Sequence, residues 1–519
     1  MEGLLNGFEV KHDDNLSSSN GWHESKRHEP NECDGHSNGS ARYMMMIHHN
    51  NNNIGLCRCL PTASAMFILF AVIISINIVF VNGEDVDAAA QASNSNPTWN
   101  FSVWWEERTM DSKQLYNEPT VIFHEPTKPA QQYGDFDKFG TVQYKPFQIY
   151  PNDGGMVITS SMLEVDPRPY RPVTSIDILN QTIRQYFSQS RHWSDDKMYM
   201  RDLRENLKEK FLSFGLKTAF HVFKTEETPS KVYQGGVKKR QSATNIISIL
   251  PGKYRGTLRD EIYLIGAHYD TVRKSCGVDD NGSGSAAVIE IARLLTKHKC
   301  YFNKTIIFTL FDLEEEYLKG SKYFVQQYLL PTEIRKNQAK FNGAYIMDML
   351  LAYNTTEESQ SLRDFWPTLP GFVEEVKEAG ARGNFMTAWS RRNIDHDLFY
   401  FLEKNWKNKY LFPIKLMDPP LPTYSHDVAR NWSKYSKYGT FARSDHASFW
   451  YPIEKDTTFR AILLSDLGPW RRDMSFHYHR VGDDLRWLRR ENLEFMKNTV
   501  DSLIATILDI GEGRCFARK

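Results

Sequence analysis

Net charge is missing from this chain. Its 519 residues carry 64 Lys and Arg against 64 Asp and Glu, the isoelectric point lies near 7.3, and no segment gathers a basic stripe. A protein that neutralises phosphates needs such a stripe, so nucleic acid is excluded as an expected partner. Internal repeats are missing too, which sets aside solenoid and propeller architectures. Cysteine is scarce, at six residues. Cys33 lies in a polar tail, and Cys57 and Cys59 precede an apolar run, where they are candidates for palmitoylation. Cys276, Cys300 and Cys515 remain, an odd number that leaves at least one outside any intrachain bridge. The pairing considered is Cys276–Cys300, which would staple the loop at Gly277 to the end of the following helix.

Long hydrophobic runs are missing as well, with one exception. Residues 63–81, ASAMFILFAVIISINIVFV, are interrupted only by Asn77 and are long enough to cross a bilayer as a helix. Lys26, Arg27, Arg42 and Arg58 precede the run, and Glu84, Asp85 and Asp87 follow it. The positive-inside rule then predicts a single-pass type II protein with a cytosolic N-terminus and the rest in a lumen or outside the cell. Residues 1–62, rich in Ser, Asn and His and including Asn50–Asn53, cannot build a core and are expected to be a disordered cytosolic tail. An uncleaved anchor is favoured over cleavage near Gly83, because the preceding region far exceeds a signal peptide. Sequons at Asn100, Asn180, Asn303, Asn354 and Asn431 suit a glycosylated ectodomain.

Residues 82–173 contain Trp99, Trp104, Trp105 and many prolines and aromatics, a stalk or cap of unassigned fold. From 174 to 519, helical periodicity over Ser175–Phe187 and Asp195–Phe214 precedes strands at Thr244–Leu250 and Glu261–Gly266. A helix near Glu491–Ile510 closes the chain. This alternation predicts an α/β fold, a mixed and mainly parallel sheet sandwiched by helices and preceded by a single transmembrane helix.

Chemistry concentrates where apolar strands meet acids. Tyr263–Ile265 reads as a buried strand, with His268 just past its carboxyl end and Asp270 two residues on, placed to fix the imidazole tautomer. H-x-D by itself is a weak motif. Gly277-Val278-Asp279-Asp280-Asn281-Gly282-Ser283-Gly284 then forms a turn that opens a helix through Leu295. The competing reading of the acidic pair is an N-cap. Asn281 heads a sequon, and a glycan there would block the site. Thr305–Phe311 is a β-branched and aromatic strand running into Asp312-Leu313-Glu314-Glu315-Glu316. Carboxylates at the end of a core strand are costly unless a cation neutralises them. Asn342–Met349 repeats the pattern with Asp348, and His479 lies in His477-Tyr478-His479-Arg480-Val481-Gly482-Asp483-Asp484-Leu485. His477, His446 and His426 compete with it, the second within Arg443-Ser444-Asp445-His446-Ala447-Ser448-Phe449. Imidazole nitrogens and carboxylate oxygens are zinc donors, and a paired site needs one carboxylate to bridge and another to take a proton.

In order and local context these segments resemble the zinc metallopeptidases that include aminopeptidase Y, glutamate carboxypeptidase and the transferrin receptor. The matching pieces are G-A-H-Y-D, G-V-D-D-N-G-S-G, F-D-L-E-E-E-Y-L-K-G-S, Y-I-M-D-M, R-S-D-H-A-S-F and H-R-V-G-D-D-L, spread over about two-thirds of the chain from Thr174 to Ile510. The resemblance implies two zinc ions bridged by Asp280, with His268 and Asp348 completing one site and Glu315 and His479 the other. It implies Glu314 as general base toward the water between them, Asp270 as the partner of His268, Glu316 as a bystander, and a cis peptide at Asp280–Asn281. The implied activity is hydrolysis of peptides from an end, most simply as an aminopeptidase. Two rivals share the fold: a catalytically silent receptor ectodomain and a single-zinc glutaminyl cyclase-like transferase. Ser283 and Ser444 are expected in structural roles. Arg391, Arg392 and Arg443 are candidates for a substrate carboxylate, with surface salt bridging as the competing reading. Two departures stand out: Tyr317 where many members have Gly, and Phe441 where some aminopeptidases have a Tyr that polarises the carbonyl. The oligomeric state is not legible.

Overall fold

The computed structural model describes residues 120–126, 170–226, 240–365 and 367–516. All of them fall within one compact unit, Ser95–Lys519. The expected tail at 1–62, the apolar run at 63–81 and most of 82–173 lie outside them. Among the described residues, no helix is long and apolar enough to cross a membrane.

Among the described residues, nine strands form one sheet: β1 (Thr120–His124), β2 (Lys217–Glu226), β3 (Arg240–Leu250), β4 (Glu261–His268), β5 (Thr305–Phe311), β6 (Lys340–Met347), β7 (Met386–Trp389), β8 (Ile414–Met417) and β9 (Ala461–Ser465). Their spatial order is β1-β2-β3-β5-β4-β6-β9-β7-β8. The expectation of a mainly parallel sheet needs correction. Neighbours β4–β5, β4–β6, β6–β9 and β7–β8 are parallel, whereas β1–β2, β2–β3, β3–β5 and β7–β9 are antiparallel. Helix crossovers serve the parallel neighbours, the edge pair β7–β8 included, and antiparallel neighbours need none. Part of the unassigned stretch 82–173 contributes the edge strand β1.

Side chains alternate across the sheet, as the pleat dictates. Tyr263, Ile265 and Ala267 of β4 and Ile306, Phe308 and Leu310 of β5 enter one core. Ile262, Leu264, Ile307 and Phe311 enter the other. Helices α1 (Ile176–Tyr186), α2 (Lys197–Ser213), α3 (Gly284–Lys297), α4 (His396–Asn405) and α6 (Arg490–Ile510) cover the first core through Ile183, Leu207, Ile291, Leu402 and Ile504. The second core is closed by Phe324, Tyr328 and the short α5 (His446–Trp450). The strands are apolar on both faces because both faces are covered. Ser175 and Asp196 cap α1 and α2, their side-chain oxygens accepting backbone N–H groups of the first turn.

Cys300 pairs with Cys515, which corrects the Cys276–Cys300 expectation. Cys276 and Cys300 lie at opposite ends of the 14-residue α3, about 21 Å long at 1.5 Å per residue. Tyr301 bridges to Arg514 and brings the segment after α3 beside the one after α6.

Candidate functional site

The adjacent parallel strands β5, β4 and β6 end on one edge of the sheet, where open α/β folds gather ligands. His268 is the last residue of β4, Glu314 and Glu315 follow β5, and Asp348 follows β6. Asp280 comes from the irregular turn Val278–Ser283 that enters α3, and its bond to Asn281 is cis. Gly277 opens that turn with φ of 55°, and a Cβ there would meet the Asp280 carbonyl oxygen at 2.3 Å. The turn is pinned from several sides. Asp483 accepts the backbone N–H groups of Asp279 and Asp280 at 2.8 and 2.9 Å. The Asn281 amide donates to the Met347 carbonyl at 2.8 Å, tying the turn to the strand that presents Asp348. No N-cap hydrogen bond from Asp280 occurs, so the N-cap reading falls.

The six side chains meet in two groups that share Asp280. Nε2 of His268 lies 3.5 Å from one Asp280 oxygen, 3.5 Å from Asp348 and 4.0 Å from Glu314. Nε2 of His479 lies 3.2 Å from the other Asp280 oxygen and 3.2 Å from Glu315. Behind them, Asp270 stands 3.4 Å from His268 Nδ1 and accepts the N–H groups of Glu314 and Glu315 at 3.1 and 3.3 Å. Leu313, Met349 and His479 itself adopt φ between 55° and 63°. Left-handed backbone at non-glycine residues is uncommon and clusters at functional sites.

These residues fit a cation pair. Asp280, Glu314, Glu315 and Asp348 gather four carboxylates without a Lys or Arg ion pair among the described residues. Both ring nitrogens of His268, and one oxygen each of Glu315 and Asp348, are buried without a hydrogen-bond partner. Two donors bonded to one tetrahedral ion at zinc distances sit about 3.4 Å apart, the spacing found around each imidazole. The electrostatics carry the same signature. Burial drives Glu314 well above the usual carboxylate range, and Glu315, Asp348 and Asp445 reinforce it against His268. Burial would lower His479, but Glu315 and Asp280 push it up to about 10. Burial would raise Asp280, yet the two imidazoles hold it below its ordinary value.

Residues 245–408 match the family model described as peptidase family M28. This segment is similar to peptidase family M28. The chain resembles aminopeptidase YwaD of Bacillus subtilis, 36% identical over 102 residues, which are 20% of this chain and 21% of that protein. An aminopeptidase of Pseudomonas aeruginosa is 37% identical over 106 residues, 20% of this chain and 18% of that protein. The chain thus spans about a fifth of the length of these curated relatives. Among solved structures, the aminopeptidase of Aneurinibacillus sp. strain AM-1 covers 66% of this chain and 95% of its own, at 14% identity and a TM-score of 0.44.

The M28 segment holds five of the six converging residues; His479 reaches the site from beyond it. Competing histidines are elsewhere. His446 is buried against the Phe441 carbonyl, His426 faces Asp427 and Asp456, and the His477 ring packs against Trp487. Glu316 and Tyr317 line the cavity beside the six residues, whose volume is about 280 Å³. Phe441 does not face that cavity: it packs between Trp389, Phe365 and Tyr438 in the second core. Tyr478 lines the cavity together with Tyr317 and is stacked on His479 at 3.8 Å. Ser283 bonds back to the Asp279 carbonyl. Arg391 is buried in a pair with Asp395 and Arg392 pairs with Asp418 at the surface, whereas Arg443 lines the cavity. Sequence reasoning missed Arg191, whose buried guanidinium donates to the carbonyls of Tyr269, Cys276 and Gly277 at 2.6 Å each. Nothing local marks it, since these three partners lie 78 to 86 residues away.

Proposed function

We propose that this chain is a zinc-dependent exopeptidase, an aminopeptidase anchored in a membrane by residues 63–81. The observation that carries the reading is the division of the Asp280 carboxylate, one oxygen toward His268 and the other toward His479. His268, Asp348 and one Asp280 oxygen would hold one ion; Glu315, His479 and the other oxygen would hold the second. When bound, such a pair polarises a carbonyl oxygen and makes water more acidic. The protein's own contribution is then positional and acid–base. Glu314 is farther from His268 than Asp280 or Asp348 are, which suits a proton carrier better than a ligand. It takes the proton of the attacking water and returns it to the leaving amine, so one carboxylate serves both halves of the reaction. Asp270 holds the His268 ring and both glutamate backbones in register.

The lumenal or extracellular placement draws support from the apolar run, from the Cys300–Cys515 bridge, and from sequon residues Asn180, Asn303, Asn354 and Asn431, none of them buried. Asn281 is fully buried, which removes it as a glycan site. The test uses the full chain in detergent, with zinc content measured beside hydrolysis of aminoacyl reporters, N-acetylated peptides and N-terminal Gln peptides. About two zinc ions per chain and cleavage confined to free-amine substrates are expected. Glu314→Gln is expected to keep the zinc and lose activity about 100- to 10,000-fold. One zinc with cyclisation of the Gln peptides supports the cyclase reading; zinc without turnover supports a receptor.

A further inference from the structure

Arg443 stands out in the cavity beside the six converging residues. Of the residues lining it, Asp280, Glu314, Glu315, Glu316 and Asp348 are acidic, and Arg443 is the only Lys or Arg. Yet no carboxylate among the described residues forms an ion pair with it, unlike its neighbours in sequence reasoning, Arg391 and Arg392. It is held from behind by aromatic rings. The guanidinium carbon lies 5.3 Å from the Trp470 ring and 6.0 Å from the Tyr478 ring, and one terminal nitrogen donates to the Tyr478 hydroxyl at 3.3 Å. The rings are fixed in turn. Trp470 donates its indole N–H to Asp364 at 2.7 Å and packs on Phe365, and Tyr478 lies on His479.

A guanidinium has five N–H donors in a planar fork matched to a carboxylate. Here the hydroxyl of Tyr478 uses one of them at long range, and the aromatic backing strengthens whatever charge pairing the rest make. We propose that Arg443 is a specificity-determining residue that receives a carboxylate of the substrate, so that the site selects short acidic-ended or acidic peptides. This rests on the peptidase reading of the same cavity. The volume of about 280 Å³ is at the small end of ligand sites and suits a short peptide whose carboxylate lies close to the scissile bond. The carboxylate has two sources, the free C-terminus or an acidic side chain, and they are separable by experiment.

The test compares the full-length zinc-loaded protein with Arg443→Met and Arg443→Lys. Kinetics are measured on Leu-Leu against Leu-Leu-amide, and on Leu-Glu-amide against Leu-Gln-amide. In the starting protein one pair is expected to show a preference for the carboxylate of about 10- to 100-fold, carried mainly by KM, as a charge-assisted hydrogen bond would give. That ratio falls toward one in Arg443→Met and is partly kept in Arg443→Lys; the pair that responds names the source. Ratios that Arg443→Met leaves unchanged, or no preference in either pair, overturn the proposal. Calorimetric binding of the same peptides to Glu314→Gln, with and without Arg443→Met, gives a second readout that needs no turnover. If nothing is hydrolysed, the peptidase reading fails; carboxylate-selective binding lost with Arg443 still upholds the subsite, and unselective binding overturns it. Loss of zinc in both Arg443 variants, with selectivity unchanged, assigns Arg443 to charge balance and also overturns it.

Discussion

Asp270 touches three residues of the site, His268, Glu314 and Glu315, although it does not line the cavity. One of its oxygens serves His268 and the Glu314 N–H, and the other serves the Glu315 N–H. Asp270→Asn keeps the shape and replaces one acceptor by a donor, so a contact to either the imidazole or a backbone N–H becomes repulsive. Zinc affinity is expected to fall about 10- to 100-fold, read by competition with a chelating dye, with the fold retained. The reason this aspartate is legible in the sequence is its spacing: two residues past a strand-end histidine, it lies on the same side of the chain. Asp483 is less legible. In the sequence it appears only as part of H-R-V-G-D-D-L, yet it accepts two N–H groups of the turn that carries Asp280.

At the scale of elements, the site is assembled by strand ends and by one buried clamp. Arg191, just beyond α1, donates to carbonyls of Phe187, Gln189, Tyr269, Cys276 and Gly277. It therefore joins the end of α1, the residue after β4 and the turn before α3, so that His268 and Asp280 are held by the same side chain. Burial lowers its pKa, partly opposed by Tyr199, Asp483, Asp270 and Asp280. Arg191→Met orphans several carbonyls, each costing about 1–3 kcal/mol when left dry. A loss of about 3 kcal/mol or more is expected in denaturant unfolding, together with weaker zinc binding. Arg191→Lys should recover part of both, because an ammonium reaches fewer of the carbonyls at once.

Across the whole molecule, two cores on either side of one sheet leave the carboxyl edge as the place where acids collect. Folding brings four carboxylates together there, and a cation is expected to offset their mutual repulsion. Chelation should lower the melting temperature by several degrees, with recovery on adding zinc and little on adding magnesium, which prefers all-oxygen octahedral sites. Scanning calorimetry with and without a chelator checks this. His268, Glu314, Glu315 and Asp348 are legible in the sequence because each stands abruptly at the end of a short apolar strand, a contrast that survives without knowing the fold, whereas Asp280 and His479 are legible only through the motifs around them. What stays hidden is set by contacts between distant segments. The antiparallel half of the sheet, the Cys300–Cys515 partnership and the exchange of Phe441 for Tyr478 at the cavity all depend on which loops return to the same edge. Arg443 is visible as a cation in a polar cluster, but its lack of an acidic partner among the described residues is a fact of packing alone.

The Cys300–Cys515 bridge closes β5 to β9 into a covalent ring and leaves β1 to β4 outside it. Glu314, Glu315, Asp348, Arg443 and His479 lie inside that ring, while His268 and Asp280 lie outside it. A protease that cuts one exposed loop within the ring therefore leaves an unbroken path from the segment carrying His268 and Asp280 to both resulting ends. The nicked chain keeps every part of the site on one covalent object, and only reduction lets the pieces drift apart.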